Sequence, residues 1–73
     1  MDNHKPKKRS LTLDGHKTSV SIEDPFWIYF TKLATQNNLS LNQLAAEIDR
    51  KRDPNVGLAT SIRIFCLTEA LRS

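Results

Sequence analysis

Cysteine and histidine are scarce in this chain. The one cysteine, Cys66, cannot form an intramolecular disulfide. Only His4 and His16 could join it as ligands, so no zinc-type cluster can be assembled from these residue types. We therefore expect no metal and no cofactor, and a protein that works in the reducing cytoplasm.

Long apolar runs and glycine-rich loops are also missing. No apolar run approaches the roughly 20 residues of a membrane helix, and no secretory signal follows the basic N-terminus. With only Gly15 and Gly57, the chain has neither a phosphate-binding glycine loop nor a nucleophile elbow. The adjacent acids Glu23 and Asp24 have no partner histidine at a suggestive spacing. We expect no catalytic residues, and hence a protein that is not an enzyme.

Small size is the next constraint. A chain of 73 residues buries only roughly 60% of its unfolded surface, so a single domain of this length is marginally stable alone. Without a disulfide or a metal, oligomerisation is the remaining source of stability.

Positive charge is concentrated at the N-terminus. The net charge is +3, and four of the eleven basic residues lie within residues 4–9. A flexible, solubilising tail and an arm that binds nucleic-acid phosphates are both compatible with this pattern. We predict a flexible basic arm over residues 1–8 and an ordered domain over residues 9–73.

A β-hairpin is predicted on either side of Asp14-Gly15. Polar and apolar residues alternate before and after this pair, which is typical of a two-residue type I′ turn. The turn would pair Leu13 with His16, Leu11 with Thr18 and Arg9 with Val20. Two faces follow. The apolar face carries Leu11, Leu13, Val20 and Ile22, and the polar face carries Ser10, Thr12, Lys17, Ser19 and Ser21.

Three helices should follow the hairpin. Asp24 is the expected N-cap and Pro25 the first residue of a helix whose apolar stripe is built on Phe26, Trp27, Phe30, Leu33 and Ala34. We interpret that stripe as core rather than as a base-stacking platform. Ser40 and Gln43 resemble a capping box for a second helix, which is predicted to run to about Arg52.

The third helix begins after Gly57 and is apolar over more than half of its circumference. Its stripe carries Leu58, Ile62, Phe65, Cys66 and Leu71, with Ile64 and Leu67 outside it. A monomer of this size could hardly cover such a helix, so we expect it to help build a dimer core. Cys66 should be an inert core residue.

A strand, a capped helix, a short loop and a second capped helix together resemble the ribbon-helix-helix family of bacterial DNA-binding proteins. The resemblance rests on residues 17–22, on Asp24-Pro25-Phe26-Trp27 through Leu33-Ala34, and on residues 38–42. It implies an intertwined homodimer, mostly α with a short β-ribbon, in which one strand from each chain enters the major groove of double-stranded DNA. A transcriptional regulator is the corresponding function.

The resemblance also implies site residues. Alternate outward positions of the strand would contact bases, and they are Lys17, Ser19 and Ser21. Phosphates would be contacted by the basic arm and by the start of the second helix, through Lys5, Lys7, Lys8, Arg9, Ser40, Leu41 and Asn42. Ser19 and Ser21 are also compatible with a plain solvated strand face.

Three features depart from the family pattern: the additional strand, the acidic pair Glu23-Asp24 beside the reading strand, and the third helix. A dimer sheet of four strands would be too broad for one major groove, so either the additional strand flares away or the strand does not read DNA. The alternative function is a protein-interaction module, antitoxin-like or adaptor, that binds a partner through the apolar third helix.

Overall fold

The computed structural model describes residues 4–73 and has one antiparallel hairpin followed by three helices. The strands are β1 (Lys7–Leu13) and β2 (His16–Ile22), and the helices are α1 (Asp24–Gln36), α2 (Leu41–Lys51) and α3 (Leu58–Arg72). The predicted class, mostly α with a short β-ribbon, is confirmed. Within residues 4–73, no helix combines the length and apolar character that crossing a membrane requires.

The hairpin has the predicted register. Leu13 is opposite His16, Leu11 opposite Thr18 and Arg9 opposite Val20. Asp14 and Gly15 both have positive φ, 50° and 86°, as a type I′ turn requires. The four predicted inward residues are buried: Leu11, Leu13, Val20 and Ile22.

The strand β1 begins earlier than we predicted. Lys7 already lies opposite Ile22, and Lys8 opposite Ser21. The boundary that we placed between residues 8 and 9 is therefore two residues late, because the alternating pattern that we followed from Ser10 continues back into the basic run. Residues 1–3 of the proposed arm lie outside the described residues.

The start of α1 also differs from the prediction. Glu23 is the N-cap and makes no side-chain cap hydrogen bond. Asp24 is the first residue of the helix and Pro25 the second. Our assignment of Asp24 as N-cap is wrong. Its carboxylate instead pairs with Lys7 and Arg9 of β1, which lie close enough to compete for it.

The core lies between the inner face of the hairpin and the helices. Phe30 of α1 is fully buried; its ring lies 5.9 Å from that of Trp27 and meets that of Phe65 edge-on at 6.4 Å. Leu33 and Ala34 are buried beside it, while Phe26 and Trp27 pack against the core from its margin. The interpretation of this aromatic stripe as core is confirmed.

Only one side of α3 is covered. Ile62 and Cys66 are buried, but Leu71, which we placed on the same apolar stripe, is 76% exposed in the single chain. Ile64 and Leu67 are exposed as well. The elements that contact α3 are α1, α2 and β2.

Candidate nucleic-acid interface

The outer face of the hairpin is polar throughout. Side chains alternate between the two faces of a strand, and the outer positions are all exposed. They are Lys8, Ser10, Thr12, Lys17, Ser19 and Ser21. Two cations and four hydroxyl groups therefore form one surface without a carboxylate. All three predicted base-contacting residues lie on it.

The start of α2 adjoins this surface. The backbone N–H of Thr12 donates to Asn42 Oδ1 at 3.0 Å, which holds the first turn of α2 against the outer edge of β1. Ser40 Oγ accepts from the N–H of Gln43, and Gln43 Oε1 accepts from the N–H of Ser40, so the predicted capping box is present. The positive end of the helix dipole thus lies beside the polar face, where an anion would be stabilised.

Two of the predicted phosphate contacts, Lys7 and Arg9, are bound within the protein. Lys7 Nζ lies 2.9 Å from Asp24, and Arg9 pairs with the other oxygen of the same carboxylate. Hydrogen bonds from Lys7 and then from Arg9 lower the pKa of Asp24 below its usual value. Arg9 also donates to the carbonyl of Ile22 and lies over the ring of Trp27, 5.3 Å from its centre. These contacts join β1 to the start of α1.

The second acidic residue, Glu23, which follows β2, is also paired. Arg63 of α3 donates to Glu23 Oε1 at 2.9 Å, and this hydrogen bond is the main reason that the pKa of Glu23 is lowered. The same guanidinium donates to the carbonyl of Ser21 at 2.9 Å. The carboxylates of Glu23 and Asp24, which depart from the family pattern, therefore form ion pairs within the chain. Their partners are Lys7, Arg9 and Arg63.

Sequence reasoning missed part of this surface. Lys8 was assigned to the arm, and Ser10 and Thr12 were placed on the polar face without a role. The period-two alternation, followed back from Ser10, would have shown that Lys8 shares their face. Arg63 was not identified, because no local pattern indicates that a residue 40 positions later pairs with Glu23.

Cys66 and the possible metal ligands lie away from this surface or from one another. Cys66 is buried, and burial raises the pKa of its thiol to about 11. Among residues 4–73, no three His, Cys, Asp or Glu side chains lie close enough to hold a metal ion.

Comparison with known proteins agrees with this geometry. A family model described as a ribbon-helix-helix domain matches residues 6–70. Among solved structures, an uncharacterized protein from Bordetella pertussis Tohama I superposes with a TM-score of 0.75 and 25% sequence identity over 94% of this chain. The chain spans 58% of the length of that structure. No curated protein matches the chain. The family match covers both strands and nearly all of the three helices, and the chain belongs to the ribbon-helix-helix domain family.

Proposed function

We propose that the protein is a transcriptional regulator that binds double-stranded DNA through the outer face of its hairpin. The observation that carries the proposal is the composition of this face, which offers two lysines and four hydroxyl groups to a partner and no negative charge. A two-stranded ribbon fits the major groove, where base edges can be told apart by their donors and acceptors. The two-stranded hairpin and the groups on its outer face support this contact.

Each group of predicted site residues has a role in this proposal. Lys17, Ser19 and Ser21 contact base edges, the lysine by donating to guanine O6 or N7. Phosphates on either side are bound by Lys5, by Lys8 and by the start of α2. There the donors are the Ser40 hydroxyl and the backbone N–H groups of Leu41 and Asn42. Lys7 and Arg9 act indirectly, because their charge neutralises Asp24 at the edge of the ribbon.

The proposal predicts DNA binding that depends on salt and on Lys17. The binding constant for a random duplex should fall steeply between 50 and 200 mM salt, since each phosphate contact releases counterions. Lys17→Ala should weaken binding about fivefold or more. A gel-shift titration at two salt concentrations measures both effects. Lys32→Ala is the control, because it removes the same charge from an exposed position on α1. An unmodified protein that fails to shift duplex DNA at low salt contradicts the proposal.

Homodimerisation is the second part of the proposal, and α3 supports it. Ile64, Leu67 and Leu71 are exposed at i, i+3 and i+7, so they form one apolar stripe along the helix. Apolar grooves lie on both sides of that stripe. One of about 350 Å³ separates α2 from α3, and one of about 220 Å³ separates α1 from α3. A ridge between two grooves can pack against a copy of itself about a two-fold axis.

The dimer contact is tested by Leu67→Glu. A charge in the centre of the stripe should convert a dimer to a monomer in sedimentation equilibrium, while the far-ultraviolet circular dichroism spectrum is retained. Thr31→Glu is the control, since Thr31 is exposed in the middle of α1, away from the stripe on α3. If the unmodified protein is already a monomer at micromolar concentration, the stripe is better explained by a different protein partner, which is the alternative function.

A further inference from the structure

The two strands of the hairpin have similar sequences. Residues 8–13 read Lys-Arg-Ser-Leu-Thr-Leu, and residues 17–22 read Lys-Thr-Ser-Val-Ser-Ile. Both strands carry a lysine, a serine and a second hydroxyl residue at alternate positions, with aliphatic residues following the two hydroxyls. The repeat has a period of nine residues and covers nearly all of both strands.

In the observed register, the two copies of the repeat are related by an approximate two-fold axis. Ser10 lies directly opposite Ser19 at the centre of the hairpin. A two-fold axis between them would exchange Lys8 with Lys17 and Thr12 with Ser21 on the outer face. On the inner face the same axis would exchange two pairs of buried aliphatic residues, Leu11 with Val20 and Leu13 with Ile22. One chain thus reproduces the two-fold arrangement that a symmetric dimer would give to a ribbon made from two chains.

The outer edges of the hairpin are held by helices. In this register, residues 8, 10 and 12 of β1 and residues 17, 19 and 21 of β2 direct their backbone groups away from the other strand. Asn42 of α2 accepts from the N–H of Thr12, and Arg63 of α3 donates to the carbonyl of Ser21. These two contacts lie at positions related by the same two-fold axis. A further strand on either edge would compete with one of them.

The width of the sheet favours a single hairpin. Strands are about 4.8 Å apart, so the outer strands of a four-stranded dimer sheet would be separated by about 14 Å between their axes. The major groove is only about 12 Å wide. Two strands fit, and four do not.

We infer that one chain presents a complete DNA-reading ribbon, in which β1 takes the place of a second copy's strand. The inference rests on the proposed DNA binding, moves Lys8 from the phosphates to the groove and enlarges the set of groove contacts. Lys8, Ser10 and Thr12 face the groove together with Lys17, Ser19 and Ser21. Lys8 and Lys17 hold equivalent positions at opposite ends of the ribbon, and each chain reads a short, approximately palindromic site. In a homodimer built through α3, the two chains carry two separate ribbons.

The equivalence of the two lysines is tested by a matched set of variants. Lys8→Ala and Lys17→Ala should each weaken binding to duplex DNA about fivefold or more, by factors that agree within about threefold, whereas Lys32→Ala changes binding less. The inference is overturned if Lys8→Ala behaves like Lys32→Ala while Lys17→Ala is impaired.

Amide hydrogen exchange on the unmodified protein without DNA supplies an independent readout. In a ribbon closed within one chain, the N–H of Val20 bonds to β1 and exchanges slowly, while the N–H of Ser19 points outward and exchanges rapidly. A Ser19 amide as protected as that of Val20 would show that a second chain pairs with β2, and would overturn the inference. If the protein binds no DNA, the proposed function fails, and this exchange pattern still decides how the ribbon is built.

Discussion

At the scale of single residues, Arg9 links three parts of the molecule. Its guanidinium donates to the carbonyl of Ile22 at the end of β2, pairs with Asp24 at the start of α1, and covers one face of Trp27. A planar group with several fixed donors can make these contacts together, whereas a lysine ammonium cannot. Arg9 is therefore a structural residue at the junction between hairpin and helix.

We expect Arg9→Ala and Arg9→Lys both to destabilise the fold. The loss should be about 1 kcal/mol from the missing hydrogen bond to the Ile22 carbonyl and the missing contact with Trp27. Urea unfolding followed by the fluorescence of Trp27, the only tryptophan, measures it. Lys8→Ala, an exposed neighbour on the opposite face, should change stability by less than about 0.5 kcal/mol. An unchanged urea midpoint for Arg9→Lys would refute the role of the planar fork.

The role of a residue could be predicted from the sequence where it depends on neighbouring residues, and not where it depends on distant ones. Asp14-Gly15 and the alternating residues around it fixed the turn and the register, since both depend on neighbours in sequence. The role of Asp24 could not be predicted, because capping competes with two cations that approach from a different strand. Arg63 was missed for the same reason. Its partners, Glu23 and the Ser21 carbonyl, are brought to it only by the packing of α3 on β2.

At the scale of elements, α2 combines a stabilising cap with a candidate anion site. Ser40 and Gln43 satisfy two of the N–H groups that a helix start leaves unpaired, and the Asn42 side chain ties the same turn to β1. The cap was predictable because a capping box is a pattern of residues three apart. The contact with β1 was not, since it joins residues 30 positions apart.

Substitutions of Ser40 should separate these two functions. Ser40→Ala removes the cap and should cost about 1 kcal/mol of stability in urea unfolding. Ser40→Asp keeps a capping oxygen and should retain stability, but its negative charge should weaken DNA binding at low salt. If Ser40→Asp binds DNA as tightly as the unmodified protein in a fluorescence-anisotropy titration, phosphate does not approach the start of α2.

At the scale of the whole molecule, ion pairs between distant segments make stability depend on pH. Arg63 lowers the pKa of Glu23, and Lys7 with Arg9 lowers that of Asp24, so both carboxylates are more acidic in the folded protein than in the unfolded chain. Such groups stabilise the fold above the usual carboxylate range, and this contribution disappears as the pH falls through their lowered folded values. Acid therefore loosens the contact of the hairpin with α1 and α3.

We expect the urea midpoint to fall between pH 7 and about pH 3, and to fall less in Asp24→Asn. For each protein, the urea midpoint is plotted against pH. The difference in slope between the unmodified protein and Asp24→Asn gives the contribution of Asp24. Asp14→Asn is the control, because Asp14 and its partner Arg50 are both largely exposed and such surface pairs contribute little. Equal slopes for the unmodified protein and Asp24→Asn would mean that Asp24 does not contribute to acid sensitivity.

The two-residue turn at Asp14-Gly15 also has a consequence for how the chain folds. An intertwined ribbon cannot form until two chains meet, so its formation is second order in protein concentration. A hairpin closed within one chain forms in about 1–10 microseconds, since its strands are joined by a loop with little closure entropy. Formation of this hairpin is therefore first order and independent of dilution. Each newly synthesised chain can complete its ribbon before it encounters another copy.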